Sequence, residues 1–143
     1  MRLMQRLFLV SLLVWLAACS TTTSITASEP DTRLNLRGTQ LDLPTSHSLR
    51  GTSFGNYEFK AQAPGLEPFY GLLPLNFKGD HLALDVLFFA PGAFFNLRAA
   101  FKYYQIDVAN QVVRFKKKDS DPWTEIRPKA VEVERARAYF GEH

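Results

Sequence analysis

The reactive side chains of this 143-residue chain are one thiol, three imidazoles and scattered hydroxyls and carboxylates. The thiol is Cys19. A thiol can be alkylated, ligate a metal or exchange disulfides. A single cysteine forms no internal disulfide, however, and an unpaired one is a liability in an oxidising compartment. The imidazoles His47, His81 and His143 have Ser46 and Ser48, Asp80, and Glu142 as neighbours. No two of them stand at a metal-ligand spacing and no second cysteine joins them, so the chain spells out neither a metal site nor a histidine-based acid–base pair. Gly51-Thr52-Ser53-Phe54-Gly55 places a serine between glycines. It leads into a strand, whereas a nucleophile elbow needs a strand before it and a helix after it. Asp119 and Asp121, in Lys118-Asp119-Ser120-Asp121-Pro122, have turn chemistry and lack the regularly spaced oxygens of a calcium loop. The glycines are dispersed, which excludes a glycine-rich phosphate loop. No catalytic set, cofactor site or metal site emerges, and the expectation is a protein that is not an enzyme.

Two surface features remain. Phe88, Phe89, Phe94 and Phe95 surround Pro91-Gly92, a pair that reverses the chain. Adjacent strand residues point to opposite faces, so one phenylalanine of each pair should face outward. Core packing accounts for many phenylalanines, but four beside one surface turn also fit a patch for a partner or an apolar ligand. The second feature, Arg114-Phe115-Lys116-Lys117-Lys118, is followed at once by Asp119 and Asp121. It suits an edge strand protected by charge, or contact with lipid phosphate, lipopolysaccharide or cell-wall polymer.

Cys19 acquires a context from what precedes it. Arg2 and Arg6 are followed by Leu7–Trp15, LFLVSLLVW, and then by Leu16-Ala17-Ala18-Cys19. A positive start, a short apolar middle and a small-residue exit form a secretory signal. The uncharged run is well short of the roughly 20 residues that span a bilayer. Leu16-Ala17-Ala18-Cys19 resembles the lipobox of bacterial lipoproteins. That resemblance implies cleavage after Ala18 and diacylglyceryl transfer to the Cys19 sulfur, with acylation of the new amino group in most Gram-negative bacteria. It also implies, with Ser20 rather than Asp after the cysteine, delivery to the outer membrane. Two or three acyl chains hold a protein firmly where one holds it marginally.

Charge adds little. The chain has 17 Lys and Arg against 14 Asp and Glu. Without Arg2 and Arg6 the balance is 15 to 14, or +1, which gives no general reason to expect nucleic acid or an acidic partner.

The expected organisation is a cleaved signal over 1–18, a lipidated cysteine with a solvated tether over 19–32, and one β-rich domain over 33–143. The tether follows from STTTSITASEPDT, Ser/Thr-rich with Ile25 as its one large apolar residue. About 110 residues remain for one core. Short alternating runs predict strands over 33–37, 55–62, 69–78, 81–90, 97–108, 111–118 and 123–127, separated by Gly38, Pro64-Gly65, Gly79-Asp80 and Pro91-Gly92. Such spacing points to an antiparallel β-sandwich or small barrel-like domain. Within 102–118, a loop at Ala109-Asn110 sets Ile106 opposite Val113 and Tyr104 opposite Phe115. Tyr104, Ile106, Val108, Val113 and Phe115 then share the buried face, and a one-residue slip would mix the two faces. Residues 130–140 alternate locally like a strand at Val131–Glu134, but their Ala, Glu and Arg content and Gly141 favour a short C-terminal helix.

The functional expectation is a membrane-anchored envelope lipoprotein, held through acylated Cys19, facing the periplasm. It would be a non-catalytic module for binding or for envelope assembly and maintenance, with an unnamed envelope protein as partner. A lipid-like, apolar-ligand-binding β-barrel with Phe88–Phe95 at its mouth is the alternative, and a hydrolase with dispersed site residues the weakest.

Overall fold

The computed structural model describes Met1, Met4 and residues 20–51, 56–77 and 98–142. Cys19, His81, His143, the four phenylalanines Phe88, Phe89, Phe94 and Phe95, and the expected strand 81–90 lie outside the described residues.

Eleven strands and one helix occupy the described chain. The strands are β1 (Ser20–Ala27), β2 (Arg33–Leu36), β3 (Thr39–Asp42), β4 (Thr45–Arg50), β5 (Glu58–Gln62), β6 (Phe69–Leu72), β7 (Leu75–Phe77), β8 (Arg98–Ala100), β9 (Tyr103–Asp107), β10 (Val112–Lys116) and β11 (Thr124–Ile126). The helix α1 spans Ala130–Tyr139. One sheet has the order β11-β10-β9-β1-β4, a second β3-β2-β5-β6, and β7 pairs with β8. The fold is therefore mainly β with a short C-terminal helix, as expected, and its sheets stay open rather than closing into a barrel. Ile25, Leu49, Tyr104, Ile106 and Val113 of the first sheet and Leu34, Leu36, Phe59, Ala61 and Phe69 of the second form one core between them.

The hairpin register is the one the side-chain pattern predicts. Ile106 pairs with Val113 and Tyr104 with Phe115, and Tyr104, Ile106 and Val113 are fully buried. The turn differs in detail. The left-handed residue is Gln111, with φ 57°, not Ala109. Its side-chain amide donates to the Val108 carbonyl at 2.9 Å, a local bond of the kind that lets an amide-bearing residue tolerate that conformation. The Tyr104 phenol donates to the Pro74 carbonyl at 2.6 Å and accepts from the Phe101 amide at 2.9 Å. Burial holds its pKa far above the ordinary phenol value.

The expected tether over 19–32 requires correction. Residues 20–27 are β1, inside the five-stranded sheet, antiparallel to β4 and parallel to β9. Thr23 and Ile25 have no exposed surface. Composition misled because threonine hydroxyls need not face water. Thr23 Oγ1 donates to the Phe101 carbonyl at 2.9 Å and Thr26 Oγ1 to the Tyr104 carbonyl at 3.2 Å. Their β-branched carbons meanwhile suit the pleat. The turn after β1 locks onto the same sheet. Glu29 accepts the amides of Val108 and Ala109, each at 3.0 Å.

Two long expected strands are interrupted. The run 69–78 breaks between β6 and β7 at Leu73-Pro74, and 97–108 breaks between β8 and β9 at Phe101-Lys102. A proline has no amide to give a ladder. β3 and β4 were not anticipated, since their sequences are mostly polar.

The helix stops as expected. Gly141 takes φ 71°, with Glu142 N–H bonded to the Arg137 carbonyl and Gly141 N–H to the Ala138 carbonyl, a Schellman ending. At the other end the Lys129 amide donates to Glu132 Oε2. Pro128, leading into α1, packs so closely on Gly71 of β6 that a Cβ there would lie 2.7 Å from its ring.

Two outcomes follow. Replacing residues 20–27 by a Gly/Ser stretch of equal length, harmless to a tether, should abolish cooperative unfolding in circular dichroism. The milder Ile25→Ala should cost about 2–5 kcal/mol in urea titration. Acid should also weaken the fold through Asp107. Burial alone would raise its carboxyl pKa, but hydrogen bonds from Asn110 and Arg114 outweigh this and hold it below the usual value. A carboxyl whose pKa is lowered by folding stabilises above its unfolded value, about 4, and loses that contribution as pH falls through the folded one. Urea midpoints measured downward from pH 7 should therefore drop below about pH 4, and less steeply in Asp107→Asn.

Candidate functional site

The β2–β3 connection is a two-residue turn, Arg37-Gly38, with φ 50° and 91°. Positive φ at both positions is the type I′ geometry that matches strand twist. Gly38 accepts it freely, whereas Arg37 is strained by roughly 1 kcal/mol. Asn35 Oδ1 steadies the turn by accepting the Gly38 amide at 2.8 Å. Arg37 itself is held on three sides. Its amide donates to the Glu58 carbonyl at 3.0 Å, its Nε lies 3.7 Å from Glu58 Oε2, and its guanidinium sits 5.8 Å from the centre of the Tyr57 ring.

Glu58 is 6% exposed. Its other oxygen lies 3.4 Å from Arg135 Nε of α1, so one buried carboxylate ties the β2–β3 turn to the helix. Tyr57 links the turn to β4, because its phenol donates to the Arg50 carbonyl at 2.6 Å. Burial raises the Tyr57 pKa, an effect partly offset by that bond and by Arg37.

Arg37, Tyr57, His47 and Arg50 thereby converge on one open cleft of about 420 Å³, completed by Leu36, Thr39, Ser48, Leu49 and Tyr139. No carboxylate lines it among the described residues. β4 is an edge of its sheet, and Leu49 points into the core while Arg50 is exposed. Antiparallel register sets Arg50 opposite Ser20 and His47 opposite Thr23. The cleft therefore lies beside the first residues of β1.

Two other clefts are chemically mixed. One of about 530 Å³, at the opposite end of β2 and β3, holds Asp31 and the Arg33–Asp42 ion pair. One of about 440 Å³ lies between Phe101, Phe115, Lys116 and Asp121.

Of the residues singled out in the sequence, Cys19, Phe88, Phe89, Phe94 and Phe95 lie outside the described chain, as do Thr52–Gly55. The basic run 114–118 lies on β10 and the turn after it. β10 is no edge, for it pairs with both β9 and β11. Two of the run's four cations, Arg114 and Lys116, are answered, while Lys117 and Lys118 are exposed. Arg114 contacts Asp107 at 3.1 Å and Glu125 at 2.9 Å, and Lys116 bonds the Asp119 carbonyl at 2.7 Å while lying over Trp123. Asp121 accepts the Lys118 amide at 3.0 Å, the turn role its sequence context predicts. No group of three His, Cys, Asp or Glu that could hold a metal occurs among the described residues. Arg37, His47, Arg50 and Tyr57 form no motif. The Arg37-Gly38 turn was the one local signal, and it marked a turn rather than a site.

Comparison with family models, with curated proteins and with solved structures finds no match to this chain.

Tyr57→Phe should detach the aromatic wall of the cleft from β4 while leaving its ring under Arg37. The expected cost is about 0.5–1.5 kcal/mol, the worth of one hydrogen bond, read as a lowered urea midpoint with an unchanged circular dichroism spectrum.

Proposed function

We propose that this chain is a lipid-anchored envelope protein, a non-catalytic binding module on the periplasmic side of the outer membrane. The observation that carries this reading is Leu16-Ala17-Ala18-Cys19 behind a short apolar run with a basic start. The position of β1 is compatible with it. The first strand begins at Ser20, directly after the residue that would bear the lipid. A module joined to its anchor without a spacer stays at the headgroup surface, where its binding partner would be an envelope component rather than a diffusing solute.

Metabolic labelling with an alkyne fatty acid should mark the wild type and not Cys19→Ser, and fractionation should place the wild type in the outer membrane. Ser20→Asp should shift it to the inner membrane without unfolding it, because the new carboxylate stands opposite Arg50, a favourable cross-strand pair. Equal labelling of wild type and Cys19→Ser would refute the anchor.

A further inference from the structure

We infer that the cleft between Arg37 and Arg50 is a phosphate-binding site, and that the phosphate it takes is that of an anionic phospholipid headgroup. The choice of lipid as the carrier rests on the anchor proposed above; the phosphate site rests on the cleft.

The cleft is lined by two arginines and, among its described lining residues, by no carboxylate. Arg50 is exposed and has no ion pair or side-chain hydrogen bond among the described residues. His47, half-buried on the Leu49 side of β4, also lines the cleft. Arg37 faces one carboxylate, Glu58, through Nε at 3.7 Å, but Glu58 is shared with Arg135. The remaining donors of the Arg37 guanidinium make no hydrogen bond among the described residues. Like charges gathered in a depression repel one another, and an anion relieves that cost. Two guanidiniums offer planar forks that match phosphate oxygens in pairs. Thr39 and Ser48, in the same cleft, add hydroxyls that can donate to the remaining oxygens. Arg37 also occupies a left-handed backbone position that glycine would fill without strain. Strain of this kind accumulates at ligand sites.

Register supplies the second observation. Arg50 is the cross-strand partner of Ser20, so their Cα atoms stand about 5 Å apart. Cys19 is bonded to Ser20, about 3.8 Å further. Lipid on Cys19 would therefore set Arg50 within roughly one Debye length of the headgroups, close enough to feel the membrane's charge.

The test uses the full-length protein, ¹⁵N-labelled and purified in uncharged maltoside micelles. It is titrated separately with dihexanoyl-phosphatidylglycerol, dihexanoyl-phosphatidylcholine and inorganic phosphate. Phosphatidylglycerol should shift the amide resonances of Arg37, His47 and Arg50 and leave those of Asp31 and Asp42 in place. Arg50→Gln should weaken that binding about five- to tenfold, the weight of one cation, with an unchanged melting curve, and Arg50→Lys should restore part of it. Equal affinity for inorganic phosphate would overturn the lipid as carrier. Absence of shifts with both phosphatidylglycerol and inorganic phosphate, or an Arg50→Gln variant that binds like wild type, would overturn the site. Phosphatidylcholine binding as tightly as phosphatidylglycerol would also overturn it, since a net negative ligand would then not be required. Mass spectrometry of the same sample reads the acyl chains on Cys19. Shifts without acylation sink the anchor and spare the site; acylation without shifts does the reverse.

Discussion

β1 holds the two halves of the five-stranded sheet together. It pairs with β4 on one side and with β9 on the other, so without it β4 has no neighbour in that sheet and the β9–β10–β11 meander loses its inner edge. The second contact joins residues 78 apart in sequence, as in the bond from Thr23 Oγ1 to the Phe101 carbonyl. A parallel pairing cannot be made by a tight turn. The intervening chain, including the whole second sheet, is what this crossover encloses. Ile25 then lies at the centre of a core shared by Leu34, Phe59, Tyr104 and Ile106.

That constraint explains which elements could be read from the sequence. The β9–β10 hairpin is local, and its two faces differ sharply in polarity, so register and turn could be derived together. The glycine at 141 announced the end of α1 for a purely conformational reason, its freedom at positive φ. β1 has neither advantage. Its partners are remote, and a strand of Ser and Thr with one isoleucine carries little hydrophobic signal. Its burial depends on carbonyls of Phe101 and Tyr104 that accept the threonine hydroxyls, and no local pattern reveals those acceptors. β3 and β4 were illegible for a related reason. They are edge strands, mostly polar, with single inward residues such as Leu41 and Leu49.

The cleft shows the same limit for function. Arg37, His47, Arg50 and Tyr57 occupy a turn, an edge strand and the segment before β5. Each is unremarkable by itself, and His47 has no partner at a ligand spacing. What joins them is the buried Glu58, which draws Arg37 down on one side and Arg135 on the other, and the bond from the Tyr57 phenol to the Arg50 carbonyl. The first is a consequence of how the helix packs on the second sheet and the second of how the segment before β5 meets β4, contacts between elements rather than a motif within one. The basic run at 114–118 illustrates the converse. It is the densest cluster of cations in the sequence, yet Arg114 spends its guanidinium on Asp107, Gln105 and Glu125 and Lys116 is tied to Asp119.

The formal net charge of +3 therefore says little about where cations stand uncompensated. At the end of the domain away from Ser20, cations and carboxylates answer one another, as in Arg33 with Asp42 and Arg114 with Asp107. Fields from such pairs largely cancel within a few ångströms. At the Ser20 end, Arg50 stands without a carboxylate among the described residues, and Arg37 shares its one carboxylate with the helix. The asymmetry is produced by register: had β1 paired two residues out of step with β4, Arg50 would not face the first residue of the strand. The placement of an uncompensated cation beside the first residue of β1 is thus a property of the same β1–β4 ladder that completes the sheet. Stability and the direction in which the domain presents its charge cannot be varied independently there.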